Sequence, residues 1–335
     1  MIRLGIIGYG YWGPNLVRNF FEHPLCSIKA VADLNPDRLH VVKKRYPSIM
    51  VTTDTDKLLT DKEINAIVIA TPVNTHFALA RNALLHDKHV LVEKPMTTSV
   101  SKAKKLIDLA FKRTRVLMID HTFIYTGAVS KIKAIIDSGA IGRLQYFDSM
   151  RTNLGLFQKD INVLWDLASH DIAILRYLVD EKPQTVQAIG ASHTLKGIEN
   201  IAYLILKFKS GLIAHFNCSW SSPVKIRMTL IGGDKKMIVY NDIEPTEKIK
   251  VYDSGLDLKK NRDKTKILID YRIGDVYVPK VELQEALTNI VADFINSVLK
   301  GTEPLSNYKV GLYTVKILEL AERSLKKGGK EIPFS

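Results

Sequence analysis

Ile2-Arg3-Leu4-Gly5-Ile6-Ile7 runs directly into Gly8-Tyr9-Gly10-Tyr11-Trp12-Gly13, and residues 14–22 follow with helical spacing. The opening run is mostly apolar and of strand length. A strand buried on both faces has no polar alternation to show. The glycines then fall as G-x-G-x-x-G between that strand and a helix. In this setting Gly8 permits a tight turn, Gly10 lets the backbone approach a pyrophosphate, and Gly13 lets helix and strand pack. The helix start offers free N–H groups and a positive dipole end to phosphates. Tyr9, Tyr11 and Trp12 complete the loop and join the glycines as cofactor-binding candidates.

Residues 28–33 read as the next strand, and Asp33 ends it twenty residues after Gly13. A carboxylate there accepts hydrogen bonds from ribose hydroxyls and faces a 2′-phosphate unfavourably. NAD is therefore expected over NADP. The next residue is Leu34 and not Arg, which agrees, whereas Arg38 is near enough to complicate the choice.

Outward from this stretch, apolar runs of strand length alternate with amphipathic helices through residue 120. That alternation predicts right-handed βαβ units and a doubly wound parallel sheet. From about residue 142 the pattern changes. Segments at residues 144–150, 185–189, 202–208, 212–218 and 225–231 read as strands. Lys209-Ser210-Gly211 and Gly232-Gly233-Asp234 separate some of them as hairpin turns. A helix is predicted at 163–178, and two more at about 281–299 and 309–326. Residues 243–280 are charged and weakly patterned, and carry no assignment. The expected fold class is α/β: an N-terminal Rossmann domain over residues 1–122, then an α+β domain with an open, mostly antiparallel sheet over 123–335.

Ligands of a doubly wound sheet lie beyond the carboxyl ends of its strands. Thr71 and Pro72 follow the strand at 66–70, and His76 in the next helix is in range of the same region, or is simply a helix-surface histidine. Glu93-Lys94-Pro95 follows the strand at 90–92. Proline fixes the chain's exit there and allows a cis bond that aims Lys94 at the cleft; a solvated turn is the plain alternative. Asp166 and His170 are four apart on one helix face, with Trp165 and Asp171 beside them. A structural hydrogen bond, two metal ligands lacking a third, and acid–base work beside a nicotinamide are all consistent with that pair.

The combination of Gly8–Gly13, Thr71-Pro72 with His76, Glu93-Lys94-Pro95, and Asp166 with His170 resembles the Gfo/Idh/MocA oxidoreductase family along nearly the whole chain. The resemblance implies hydride transfer between NAD(P) and a carbon of a sugar, inositol or sugar nucleotide. It implies that Lys94 orients the substrate hydroxyl and stabilises developing negative charge. His170 is then the general base in oxidation, and Asp166 positions substrate or tunes His170. Asn162-Val163-Leu164-Trp165-Asp166, without glycines before the aspartate, and the stretch from Arg151 through Asn153 to Phe157 are similar to the branch of sugar-nucleotide 3-dehydrogenases. Arg151, Asn153, Trp165, Asp166 and His170 are thereby substrate-binding candidates. Open-sheet oligomerisation, as a homodimer or homotetramer, is a further implication. Two other functions compete: reduction of a non-sugar carbonyl or imine, and ligand sensing without catalysis. A sensor has no chemical need for Lys94, Asp166 and His170 together.

Composition narrows the field. The net charge of +13 is spread largely in pairs such as Lys43-Lys44 and Lys104-Lys105, with no aromatic–basic stripe. Nucleic acid is not an expected partner; an acidic small-molecule substrate is compatible with the field. Cys26 and Cys218 are too few and too isolated for a disulfide framework or zinc site, and no metal is expected. The apolar run at 4–7 is too short for a signal peptide, and no stretch approaches the roughly 18 apolar residues of a membrane span. A cytoplasmic location, with no membrane partner, is the expectation.

Overall fold

In the computed structural model the opening strand, β1 (Ile2–Ile7), lies inside a six-stranded sheet with β2 (Cys26–Ala32), β3 (Met50–Thr52), β4 (Ala66–Ile69), β5 (His89–Glu93) and β6 (Leu117–Asp120). The order is β3-β2-β1-β4-β5-β6, and every pair is parallel. This is the Rossmann order, which reverses between β1 and β4 and opens a crevice at the carboxyl ends. The crossovers carry α1 (Gly13–Glu22), α2 (Pro36–Arg45), α3 (Asp56–Leu59), α4 (Val73–Leu85) and α5 (Val100–Lys112). All four residues of β4 are buried, so its lack of alternation reflects cover on both faces. Asn35 starts α2 by accepting the Asp37 N–H at 2.9 Å, with Pro36 in the first turn.

The structure describes residues 1–155, 157, 160–259 and 268–335, although of side chains 256–271 nothing is stated. They form two units, Met1–Tyr125 with Gln284–Glu319, and Thr126–Leu283 with Leu320–Ser335. The second unit begins with α6 (Gly127–Asp137), β7 (Leu144–Leu154) and, after a π-helical turn at Leu164–Ala168, α7 (Ser169–Leu178). Then come β8 (Pro183–Ala191), β9 (Ile201–Phe208), β10 (Ile213–Ser219), β11 (Ser221–Gly233), β12 (Met237–Asn241) and β13 (Ile249–Tyr252). A separate antiparallel hairpin pairs β14 (Gly255–Lys259) with β15 (Leu268–Arg272). With β16 (Val276–Tyr277) and β17 (Ile332–Pro333), the large sheet runs β16-β13-β12-β11-β7-β10-β9-β8-β17. Only β7 and β10 pair parallel; the other neighbours are antiparallel.

Burial alternates along β10. Ala214, Phe216 and Cys218 are buried opposite Leu206, Leu204 and Ala202 of β9. Ile213 and His215 lie on the other face, where His215 stacks on Tyr203 with ring centroids 6.1 Å apart.

Three features depart from the sequence expectation. Helix α6 carries no assignment there. The unassigned residues 243–280 supply β13 and β16 to the sheet edge. Helix α8 (Ala286–Lys300) and most of α9 (Tyr308–Lys326), expected within the 123–335 domain, pack with the first unit. There Phe294 meets Phe20 of α1 edge-on at 6.2 Å, Arg18 pairs with Glu285 at 2.6 Å, and Tyr125 donates to Asp293 at 2.6 Å. An amphipathic helix near the end of a chain bears no local mark of which core it will cover.

Candidate functional site

The glycine loop leaves β1 as the motif requires. Gly8 has φ +100°, and a Cβ there would lie 2.4 Å from the Ala70 carbonyl oxygen. A Cβ on Gly13 would sit 2.5 Å from the Gly8 oxygen, so strand end and helix start interlock. Gly10 is different: the nearest atom to its would-be Cβ is an Arg38 guanidinium nitrogen at 3.7 Å. Its outward side is open, the feature a pyrophosphate needs.

Asp33 sits just past β2 and is buried. Its Oδ2 accepts the Tyr9 N–H at 2.6 Å, and its Oδ1 accepts the Asn35 N–H at 2.8 Å. Arg38 Nη1 approaches Oδ2 at 3.5 Å. The carboxylate is thus clamped to the loop that would carry the diphosphate. Tyr9 is buried, whereas Tyr11 is exposed and Trp12 is at the margin, and their rings meet edge-on. The open cradle, the helix N-terminus and the anchored carboxylate fit NAD.

His76 lies in the first turn of α4. It is 1% exposed, its Nδ1 lies 2.9 Å from the Pro95 oxygen, and its Nε2 lies 2.7 Å from the Thr71 oxygen. Burial pushes its pKa down, opposed by the two carbonyls. A neutral imidazole has one N–H, so one of these contacts lacks a proton. His76 is a strut tying the Thr71-Pro72 turn to the Lys94-Pro95 turn, not a side chain lying open to a dinucleotide. Thr71 and Thr75 share a hydroxyl hydrogen bond at 2.7 Å in the same turn.

Glu93 ends β5, and the Lys94-Pro95 peptide that follows is cis. Glu93 is buried and Lys94 half-buried. Burial first, then the charge of Asp120, raise the Glu93 carboxyl well above the usual range. Beside them His121 is fully buried, and burial with the Lys94 charge lowers its pKa to about 3.

In the second unit the single helix expected at 163–178 is divided. Its first turn, Leu164–Ala168, is π-helical, and α7 starts at Ser169. A π turn spaces residues more widely than the α-helical i,i+4 rule assumes, and such turns recur at functional sites. Asn162 begins it: its Oδ1 accepts the N–H groups of Leu164 and Trp165 at 3.1 and 3.4 Å, and its Nδ2 donates to Glu199 at 2.9 Å. Asp166 and His170 are half-buried on either side of the π-to-α junction. Trp220, wholly buried where β10 gives way to β11, donates its indole N–H to Asp166 Oδ2 at 3.0 Å.

The other substrate candidates divide. Trp165 is buried. Arg151 is buried as well, and its Nε and Nη2 donate to the two Asp171 oxygens at 2.9 and 2.7 Å. This commits the guanidinium to α7, the helix that carries His170. Asn153 is two residues further along β7 on the same face as Arg151, and half-buried. Leu156 of the branch-like stretch lies outside the described residues. Trp220, Asn162, Asp171 and Asp120 escaped sequence reasoning as site residues. Only Asn162 bears a local signal, an Asn just ahead of a helix.

Both thiols are buried; burial raises Cys26 to about 11 and Cys218 well above the ordinary value, leaving them unreactive. Among the described residues there is no group of three or more metal-ligating side chains, and no helix long and apolar enough to cross a membrane.

The loop, the strand order and Asp33 together define a dinucleotide-binding protein of the Rossmann class, joined to an α+β unit. Comparison with known proteins makes this specific. Residues 2–121 match the model of an oxidoreductase family with an NAD-binding Rossmann fold, and residues 129–239 match the GFO/IDH/MocA C-terminal domain. The chain belongs to the Gfo/Idh/MocA family of oxidoreductases. It is 26% identical to a 1-carboxy-3-chloro-3,4-dihydroxycyclohexa-1,5-diene dehydrogenase of Comamonas testosteroni; the match covers 65% of this chain and 58% of that protein. It is 22% identical to the myo-inositol 2-dehydrogenase of Thermotoga maritima over 97% of both chains. Among solved structures, a UDP-N-acetylglucosamine 3-dehydrogenase from Acidithiobacillus ferrooxidans superposes with a TM-score of 0.80 at 22% identity, covering 98% of each chain.

Proposed function

We propose that the protein is an NAD-dependent dehydrogenase that oxidises a secondary alcohol of a sugar or sugar nucleotide, or reduces the corresponding ketone. The observation that carries this reading is Asp166, held by the Trp220 indole and set in a π turn directly ahead of His170, in a chain that also carries the dinucleotide loop. The similar proteins named above support a polyhydroxylated substrate. Bound NAD supplies the hydride acceptor. Gly8 to Gly13 and Asp33 would hold it, with Thr71 and Pro72 just past the end of β4 and Glu93 at the end of β5 as further candidates. In oxidation the alcohol carbon loses hydride while its hydroxyl proton passes to His170. Lys94 stabilises the negative charge that builds on the oxygen, and Asp166 orients His170 or the substrate. Asn153 is the remaining polar candidate for a substrate contact.

The outer face of the large sheet supports assembly as a homodimer or homotetramer. Ile213, Tyr203 and Ile189 are exposed there. Light scattering at micromolar concentration checks this; a monomer counts against it.

The test of function is a panel of UDP-sugars, inositols and aldoses screened for NADH absorbance. Lys94→Ala and His170→Ala are each expected to retain NAD binding and lose at least about a hundredfold in turnover. The double variant should lose far less than the product, because both act on one proton-transfer step. A His170→Ala protein turning over at the parent rate would move the base to Asp166 or water. A panel that shifts NAD affinity without any turnover would favour a sensor.

A further inference from the structure

Glu93 closes β5 and Asp120 closes β6, and the parallel register sets them side by side. Glu93 is 9% exposed and Asp120 1%. Few donors reach them. Thr122 Oγ1 donates to Asp120 Oδ1 at 2.7 Å, and the Lys94 backbone N–H donates to Glu93 Oε2 at 3.2 Å. Asp120 Oδ2 is buried and meets no hydrogen-bond donor among the described residues. Two carboxylates meeting out of water do not both ionise. The next residue along the chain from Glu93 brings an ammonium group, Lys94, whose charge acts on Glu93, Asp120 and His121.

We propose that Glu93 and Asp120 share one proton in the folded chain, and that the single negative charge left on the pair is one counter-ion of Lys94. Glu93 keeps the proton and donates it to Asp120 Oδ2, the oxygen without another donor. The directions agree. Burial and the neighbouring charge raise Glu93 well above its ordinary range; burial raises Asp120, but Thr122 and the bond from Glu93 pull it back. The two acids are therefore positioning residues for Lys94. Neither pairs with it as a fully charged carboxylate dyad, which would hold the ammonium more tightly.

Other titratable groups face this cluster. His76 and His121 are buried and depressed, and Tyr125 is raised by burial and by Asp293, to which it donates. All of these are common to parent and variant proteins, so differences between the two isolate the acid pair.

The test uses the full chain and two isosteric variants, Asp120→Asn and Glu93→Gln, in case one fails to fold. A carboxyl whose folded pKa is raised stabilises the fold at low pH, and that contribution is lost as pH rises through the folded value. Urea unfolding from about pH 4 to about pH 8 should thus show each variant gaining stability relative to the parent as pH rises. Parallel curves would overturn the shared proton. The second measurement is acylation of Lys94 at about pH 8, followed by peptide mass spectrometry with exposed Lys44 as reference. Loss of the counter-ion in Asp120→Asn should raise Lys94 labelling several-fold and leave Lys44 unchanged. Equal labelling would overturn the counter-ion. The inference deepens the proposed role of Lys94, but neither measurement needs turnover, so its failure is separate from failure of the dehydrogenase reading.

Discussion

The indole nitrogen of Trp220 reaches Asp166 Oδ2 at 3.0 Å across 54 residues of sequence. Asp166 has no freedom to turn its carboxylate without breaking that bond. Trp220 itself is wholly buried, with Phe157 edge-on to it at 5.6 Å and the Gly155 backbone so close that a Cβ would fall 2.5 Å from its ring. The orientation of a candidate catalytic carboxylate is therefore set by a packed aromatic.

Trp220→Phe removes the donor and leaves an aromatic ring. Loss of a hydrogen bond to a charged group and of buried ring volume is expected to cost about 1–3 kcal/mol in urea unfolding. The more telling readout is kinetic. Turnover should fall about tenfold while NAD affinity, measured by fluorescence, stays at the parent value. If turnover is unchanged, Asp166 does not need the indole to act.

The Arg151–Asp171 pair is bidentate and buried at both ends. Removing one partner strands the other charge out of water, so Arg151→Met should cost about 3–5 kcal/mol by chemical denaturation. Pairing it with Asp171→Leu should restore most of that loss, because two apolar side chains leave no orphan charge. A single variant as stable as the parent would mean that water reaches the pair.

Cofactor choice rests on Asp33. With its carboxylate clamped by the Tyr9 and Asn35 N–H groups, NAD should bind at least about tenfold more tightly than NADP. Asp33→Ala should narrow the gap, chiefly by admitting NADP past Arg38. Equal dissociation constants for the two cofactors in the parent protein would sink this assignment.

His89 predicts an acid limb of stability. Burial, then Arg115, lower its pKa to about 4, and its Nδ1 accepts the Val116 N–H at 3.0 Å as a neutral imidazole does. The unfolded chain protonates near the ordinary value of about 6.5. The unfolded state therefore binds more protons between those values, and stability falls as pH drops from about 6.5 toward 4. His89→Asn keeps an acceptor for Val116 and removes the titration, so its stability curve should be flatter across that window. An unchanged slope would assign the acid limb to other groups.

The first unit was largely legible in the sequence because its signals are local. A glycine at φ +100°, a strand buried on both faces and an acid at a strand end each leave a mark within a few residues. Glu93 and Lys94 could be placed at a carboxyl end for the same reason. Helix α6 carries no assignment from sequence, and α8 packs with the first unit and not with the domain expected over 123–335, because amphipathic spacing specifies a buried face but not its partner.

What the sequence determined by itself is the dinucleotide loop, the alternation that builds the parallel sheet around it, and the residue types available for proton transfer. The tertiary structure alone decided how those residues are held. Asp166 is gripped by Trp220, and Arg151 is turned inward to Asp171. His76 is closed between two backbone carbonyls, and Asp120 is brought against Glu93. Each depends on burial and on partners distant in the chain, or on a neighbouring strand's register. Desolvation and hydrogen-bond geometry are properties of the packed molecule, with no periodicity along the chain to announce them.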